Sequence, residues 1–251
     1  DTNTGRILNK LEDLNLRKST LIIFASDNGG QLSPQATTNS PLAPEQVDVP
    51  DERLFAVLRR VLEKTGQIHV TYTEDTDVLP RLDHYDVICL NAMFDSLEPE
   101  EEQGLLDTVR QGKPLLVLHA ASAFFRRPPP GKPGDALAQH PEFYEMLGGC
   151  VERHPPLGPI DVRVIAKGHP VTKGVDDFVI EDELFLFFKL PESNKNLLET
   201  EFEGEKRPLA WTRVWGEGTV LHIALGHGPK AANNPTFQRL VLNGIEWLAT
   251  D

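Results

Sequence analysis

The chain has 251 residues, 39% of them hydrophobic, and a formal net charge of −13. That length suffices to bury the core of one large α/β domain. The acidic balance excludes nucleic acid as a partner, because phosphate backbones are gripped by Lys and Arg in excess, and it argues equally against an anionic membrane surface.

Residues 4–15 read as a helix with Ile7, Leu8, Leu11 and Leu14 on one face. "TLIIFA" (20–25) is apolar at every position, as a strand buried on both faces requires. A loop rich in Gly, Ser, Pro and Asn follows, to about Val49. "DERLFAVLRRVLEKTG" then sets Leu54, Leu58, Val61 and Leu62 on one helical face, begun at Pro50 and stopped at Gly66. "IHVTYT" (68–73) and "YDVICLN" (85–91) read as strands. Pro99–Gln111 reads as a helix whose acidic first turn suits its dipole, and the run Glu98–Glu102 reads as its solvated start. "PLLVLHA" (114–120) is a further buried run. "RRPPPGKPGD" (126–135) cannot be a regular element and reads as a surface insertion. A short helix over Pro141–Leu147 ends at Gly148-Gly149.

Beyond this point the pattern changes. "IDVRVI" (160–165) alternates, which predicts a strand with one solvated face. "FVIEDELFLFF" and "LAWTRVWGEGTVLHIALGH" continue the β pattern, the second turning at Gly216-Glu217-Gly218. Asn234-Pro235 opens a last helix with Phe237, Leu240, Val241 and Leu248 inward. No apolar run approaches the roughly 20 residues of a bilayer span. The expected architecture is α/β, a flavodoxin-like, doubly wound and mainly parallel sheet flanked by helices. The first 18 residues read as an appendage to a single domain over 19–251.

Ligands of open α/β sheets bind at the carboxyl ends of the strands. Here the buried runs end in Asp27-Asn28-Gly29-Gly30, in Asn91, in His119 and in Gly226-His227, so four strands deliver polar groups to one edge. "ERHPP" adds His154 on a loop stiffened by prolines. "IEDELF" adds Asp182 and Glu183 inside an apolar segment, where acids are costly unless paired or used. His222 reads as core, His69, His84 and His140 as surface, and His169 as organising a turn or touching a ligand. Cys89 and Cys150 make neither a disulfide framework nor a zinc knuckle.

From about Asp51 onward, "LEKTGQIHVTYTED", "YDVICLN", "LLVLHAAS", "FYEMLGG", "VRVIAKGHPVTKGVDDFVIEDELF", "LAWTRVWGEGTVLHIALGH" and "FQRLVLNGIEWLA" resemble the ThuA-like (trehalose utilisation) family in order and spacing. The resemblance implies the class I glutamine amidotransferase-like fold. It also implies a role in the metabolism of disaccharides such as trehalose or their 3-keto forms. The first 42 residues instead resemble a sulfatase, in "TGRILNKLEDLNLRKSTLIIFASDNGG" and "TTNSPL". In that family the acid and amide of the SDNGG stretch, here Asp27 and Asn28, help hold calcium. The chain has no Cys-x-Pro-x-Arg or Ser-x-Pro-x-Arg stretch for a formylglycine nucleophile, so sulfatase activity is not expected. The piece reads instead as the first strand and loop of the ThuA-like sheet, with Asp27-Asn28 replacing that family's loop histidine.

These readings define a sugar-processing enzyme working by acid/base chemistry. His119 and His227 would move protons, Glu183 would orient them, and Asn91, His154, Asp182, Asp27 and Asn28 would bind substrate. No cofactor is required by this scheme. A variant places a divalent metal among His119, His154, His227 and Glu183, side-chain types that suit zinc. Glutaminase chemistry is rejected, because His119 stands where its Cys nucleophile would. A non-catalytic sugar-binding module is the alternative. The partner is a small-molecule sugar, the composition allows a homo-oligomer, and the compartment is open between cytoplasm, slightly favoured, and export after loss of a leader.

Overall fold

The computed structural model describes residues 20–25, 54–73, 75–91, 97–123, 137–188 and 190–250. The amino-terminal helix, the loop bearing Asp27 and Asn28, and the proline-rich insertion lie outside them. The strands are β1 (Thr20–Ala25), β2 (His69–Thr73), β3 (Ile88–Asn91), β4 (Leu115–Leu118), β5 (Cys150–Arg153), β6 (Gly158–Val164), β7 (Phe178–Asp182), β8 (Leu186–Phe188), β9 (Lys195–Phe202), β10 (Glu205–Trp215) and β11 (Gly218–Ile223). The helices are α1 (Leu54–Glu63), α2 (Pro99–Arg110), α3 (Pro141–Leu147), α4 (Pro229–Ala232) and α5 (Pro235–Leu248), with a 3-10 turn over His119–Ala123. Among the described residues no helix is long and apolar enough to cross a membrane.

The main sheet runs β2-β1-β3-β4-β11-β10-β9-β6-β7. Its first five strands are parallel and follow the flavodoxin-like order, with β1 seated between β2 and β3. The expectation of a mainly parallel sheet is corrected by the other half. The ladders β10–β11, β9–β10, β6–β9 and β6–β7 are antiparallel, as is the small β5–β8 pair, so antiparallel pairing predominates. The reason is local. Glu203-Gly204 and Gly216-Glu217 are two-residue turns, which can join only antiparallel neighbours. Glu203 and Gly204 both have positive φ (53° and 75°), the backbone of a tight hairpin turn.

The apolar runs are continuous because both faces of the parallel half are covered. Leu116 and Leu118 of β4 join Leu54, Leu58 and Leu62 of α1 and Leu240, Val241 and Ile245 of α5 in one core. Leu115 and Val117 of the same strand join Leu105, Leu106 and Val109 of α2 and Phe143, Tyr144, Met146 and Leu147 of α3 in the other. Phe237, Leu240, Val241 and Leu248 are buried as their spacing predicts, and Val61 is half-buried. Asn234 caps α5, its side-chain oxygen accepting from the Thr236 and Phe237 amides at 2.9 and 3.1 Å. β6 alternates exposed and buried residues, as expected of a strand with one wet face.

Two strands escape the sequence reading, β5 and β9. In β9 the charged Lys195, Glu199 and Glu201 mask the apolar signal, and the adjacent Leu197 and Leu198 are both buried near a register shift. The solvated reading of Glu98–Glu102 also needs correction. Glu101 is buried, accepting from the Thr76 hydroxyl at 2.6 Å and the Glu98 amide at 2.8 Å, while Glu102 meets His140.

Candidate active site

His119 follows β4 directly and turns the chain at φ 31°, a left-handed conformation that a side chain pays for in steric strain. Such strain persists where the surroundings over-determine it, and it concentrates at functional sites. Two contacts hold its ring, and a third fixes the elbow that follows it. Its Nδ1 lies 2.9 Å from the Ala224 carbonyl, which can only accept, so Nδ1 carries the proton and donates. Its ring stacks on Phe185 at 4.0 Å and 19°. Three residues on, the Ser122 hydroxyl donates to His222 Nε2 at 2.6 Å, while His222 Nδ1 donates to the Leu147 carbonyl. Trp211 Nε1 donates to the same carbonyl, so the elbow is tied to β10, β11 and α3.

With Nδ1 committed, His119 turns Nε2 toward Glu183, whose Oε2 lies 3.4 Å away. The other oxygen of Glu183 lies 2.9 Å from His154 Nδ1. His227 stands edge-on to His119, ring centroids 5.4 Å apart. One donor atom from each of His119, Glu183 and His227 lies within 4.8 Å of the others. Burial pushes the Glu183 carboxyl up. The hydrogen bond to His119 and the positive potential of His119, His154 and His227 outweigh it and hold the group below the usual carboxylate range. The carboxylate is therefore ionised at neutral pH, with its side chain only 15% exposed.

Asp182 requires a different role from the expected substrate contact. It is buried, its Oδ2 accepting from the Gly226 amide at 2.7 Å and its Oδ1 from the His227 and Glu183 amides, both at 2.9 Å. One carboxylate thus clips the end of β7 to the loop after β11 and sets Glu183 beside His227. The curl of the sheet makes this reachable, since β7 is the far edge strand.

Asn91 ends β3 beside β4 and is 7% exposed, and its Oδ1 has no hydrogen-bond partner among the described residues. A buried acceptor left unpaired is unfavourable by about 1–3 kcal/mol, so it is poised for a ligand donor. His154 is exposed at the rim. His169 organises its turn, Nδ1 accepting from the Val171 amide at 3.3 Å, and packs on Trp247. His69 and His84 are exposed, and His222 is core. Cys89 and Cys150 are buried and not joined in a disulfide, and burial pushes the Cys89 thiol far up, so neither is a ready nucleophile. Phe185, which stacks on His119, was missed in the sequence. It sits in an apolar stretch, and nothing in its spacing separates it from a core residue.

Fold and site together define an α/β protein with a mixed sheet flanked by helices and a histidine–carboxylate cluster at the carboxyl ends of its strands. Residues 45–248 match the ThuA family, described as trehalose utilisation, and the chain belongs to that family. A putative ThuA-like protein from Parabacteroides merdae superposes with a TM-score of 0.70 at 21% identity, over 92% of this chain and 89% of that one. One from Bacteroides uniformis gives 0.67 at 19% identity, over 92% and 91%. A cytoplasmic protein from Salmonella typhimurium, STM3548, gives 0.58 at 16% identity, over 91% and 98%. At these identities the likeness is one of fold. No curated protein matches the chain in sequence.

Proposed function

We propose that this ThuA-family chain is a sugar-processing enzyme of carbohydrate metabolism, acting on a disaccharide of the trehalose type or its 3-keto form by acid/base chemistry of the hydrolase or lyase kind. The observation that carries the reading is the meeting of His119, Glu183 and His227, drawn from three separate elements. His119 keeps Nδ1 on a backbone carbonyl, so only Nε2 can exchange a proton. His227, half-exposed, is the second proton carrier, returning a proton to the leaving oxygen. Glu183 stays ionised between the imidazoles, stabilises positive charge on either and orients His154. Asn91 Oδ1 accepts from a sugar hydroxyl.

Turnover of ordinary and 3-keto disaccharides by the purified protein is the test. His119→Ala and His227→Ala should each lower turnover by about 10²-fold or more with folding intact. Tight disaccharide binding without turnover would replace this reading by a sugar-binding module. The replacement of the family's loop histidine by Asp27-Asn28 favours that second reading.

A further inference from the structure

The contact between His119 and Glu183 has a chemical peculiarity. With Nδ1 donating to the Ala224 carbonyl, a neutral His119 presents a lone pair from Nε2 to a carboxylate oxygen 3.4 Å away. In that neutral form two acceptors would face each other in a place where His119 is 1% exposed, so either a proton on Nε2, as in the charged pair described above, or a cation must lie between them. A shared proton would draw them to the 2.7–2.9 Å of a charge-assisted hydrogen bond. A shared metal would not. Two ligands each about 2.0–2.1 Å from one tetrahedral zinc stand about 3.3 Å apart, close to the spacing observed.

We propose that His119 Nε2, Glu183 Oε2 and an imidazole nitrogen of His227 form a three-ligand site for a divalent cation of the zinc class, its fourth position open to an exchangeable oxygen ligand. The inference rests on the same cluster as the proposed function and changes the roles within it: a ring nitrogen that ligates a cation has no lone pair left for a proton, so with the cation bound His119 and His227 hold the metal instead of carrying protons. Two imidazoles and one carboxylate form a donor set typical of catalytic zinc, whereas structural zinc is closed by four protein ligands. All three donor atoms lie within 4.8 Å of one another, and rotation of the half-exposed His227 ring completes the approach.

The surroundings are those of a metal centre. A ligating histidine normally donates its other ring N–H to a carbonyl or carboxylate, as His119 does to Ala224. A ligating carboxylate normally has an outer partner, and Glu183 Oε1 lies in an ion-pair contact with His154 Nδ1 at 2.9 Å, while the hydrogen bond of that ring nitrogen is with the Pro155 carbonyl at 3.3 Å. His154 is thereby an outer partner rather than a fourth ligand. Asp182 fixes the backbone of two of the three ligand residues, Glu183 and His227. A soft thiolate is missing from the set, because both cysteines are buried in the core away from it, which disfavours cuprous ion.

The test measures metal, independently of turnover. Full-length protein is stripped with a chelator, dialysed against Zn²⁺ and analysed for bound metal, then titrated with Co²⁺ while visible absorption is followed. One Zn²⁺ per chain and intense cobalt bands typical of four- or five-coordination are expected. His119→Ala, Glu183→Gln and His227→Ala should each weaken binding more than about 100-fold, and His154→Ala about 10- to 100-fold. The exposed His84→Ala should leave it unchanged. If buried His119→Ala or Glu183→Gln fails to fold, the half-exposed His227→Gln carries the same expectation. Wild-type protein that takes up no stoichiometric Zn²⁺ or Co²⁺, or binding that survives substitution of His227, would overturn the proposal. Sugar turnover by protein that takes up no metal would overturn the metal site and leave the sugar reading standing, while stoichiometric metal binding without sugar turnover would do the reverse.

Discussion

His222 offers a sharp test of the buried network beneath the elbow. It is fully buried, and burial pushes its imidazole down to about 3, with the charge of His119 adding to the effect and the Leu147 carbonyl opposing it. An unfolded histidine titrates near 6.5. Between those values the unfolded chain binds a proton that the native state refuses. Stability is therefore full above about pH 6.5 and falls as pH drops toward 3. At about pH 4.5 the loss from this one residue is about 3 kcal/mol, set almost wholly by the unfolded imidazole because pH 4.5 lies well above the folded value.

Other groups titrate over the same range, so the clean measurement is a difference. His222→Gln keeps a donor and an acceptor but cannot titrate. It should destabilise the protein at pH 7 by about 1–3 kcal/mol, through imperfect bonds to Ser122 and Leu147. Urea unfolding followed by tryptophan fluorescence gives both stabilities at each pH. The gap between wild type and variant should shrink by about 3 kcal/mol, or change sign, from pH 7 to about 4.5. A gap constant to within about 0.5 kcal/mol would show that His222 is protonated or accessible in the native state, and would refute the buried, neutral assignment.

Replacing Asn91 by Leu removes a buried unpaired acceptor, so denaturant unfolding should show a gain of about 1 kcal/mol while disaccharide turnover falls. Unchanged turnover would remove Asn91 from the substrate site. Asp182→Asn turns one acceptor into a donor facing a backbone amide, and should reduce stability by about 2–3 kcal/mol in the same assay, with loss of turnover. For Gly218→Ala, the added Cβ would strike the Val109 carbonyl and press on that of Lys113. Both are backbone atoms, so α2 must shift, and thermal unfolding should reveal a destabilisation of about 3 kcal/mol or more.

The sequence alone determined what depends on local pattern. Continuous apolar runs such as Leu115–Leu118 required burial on two faces, and α2 and α5 lie on opposite sides of that strand as such runs demand. Asn234-Pro235 announced a helix start, and the capping bonds are there. Strand ends marked Asn91, His119 and His227 as polar groups on one edge. What local pattern could not supply was partnership between distant residues. Whether β9–β11 pair parallel or antiparallel depends on turn geometry and on which edge of the sheet accepts them. Asp182 and Glu183 are neighbours with the same charge, yet one holds backbone amides and the other faces imidazoles. Asp182 closes β7 and Glu183 begins the loop beyond it, and the curl of the sheet decides what each side chain meets. Likewise the His119 tautomer follows from the Ala224 carbonyl, 105 residues away in the chain. Only the folded structure brings those groups within a hydrogen bond.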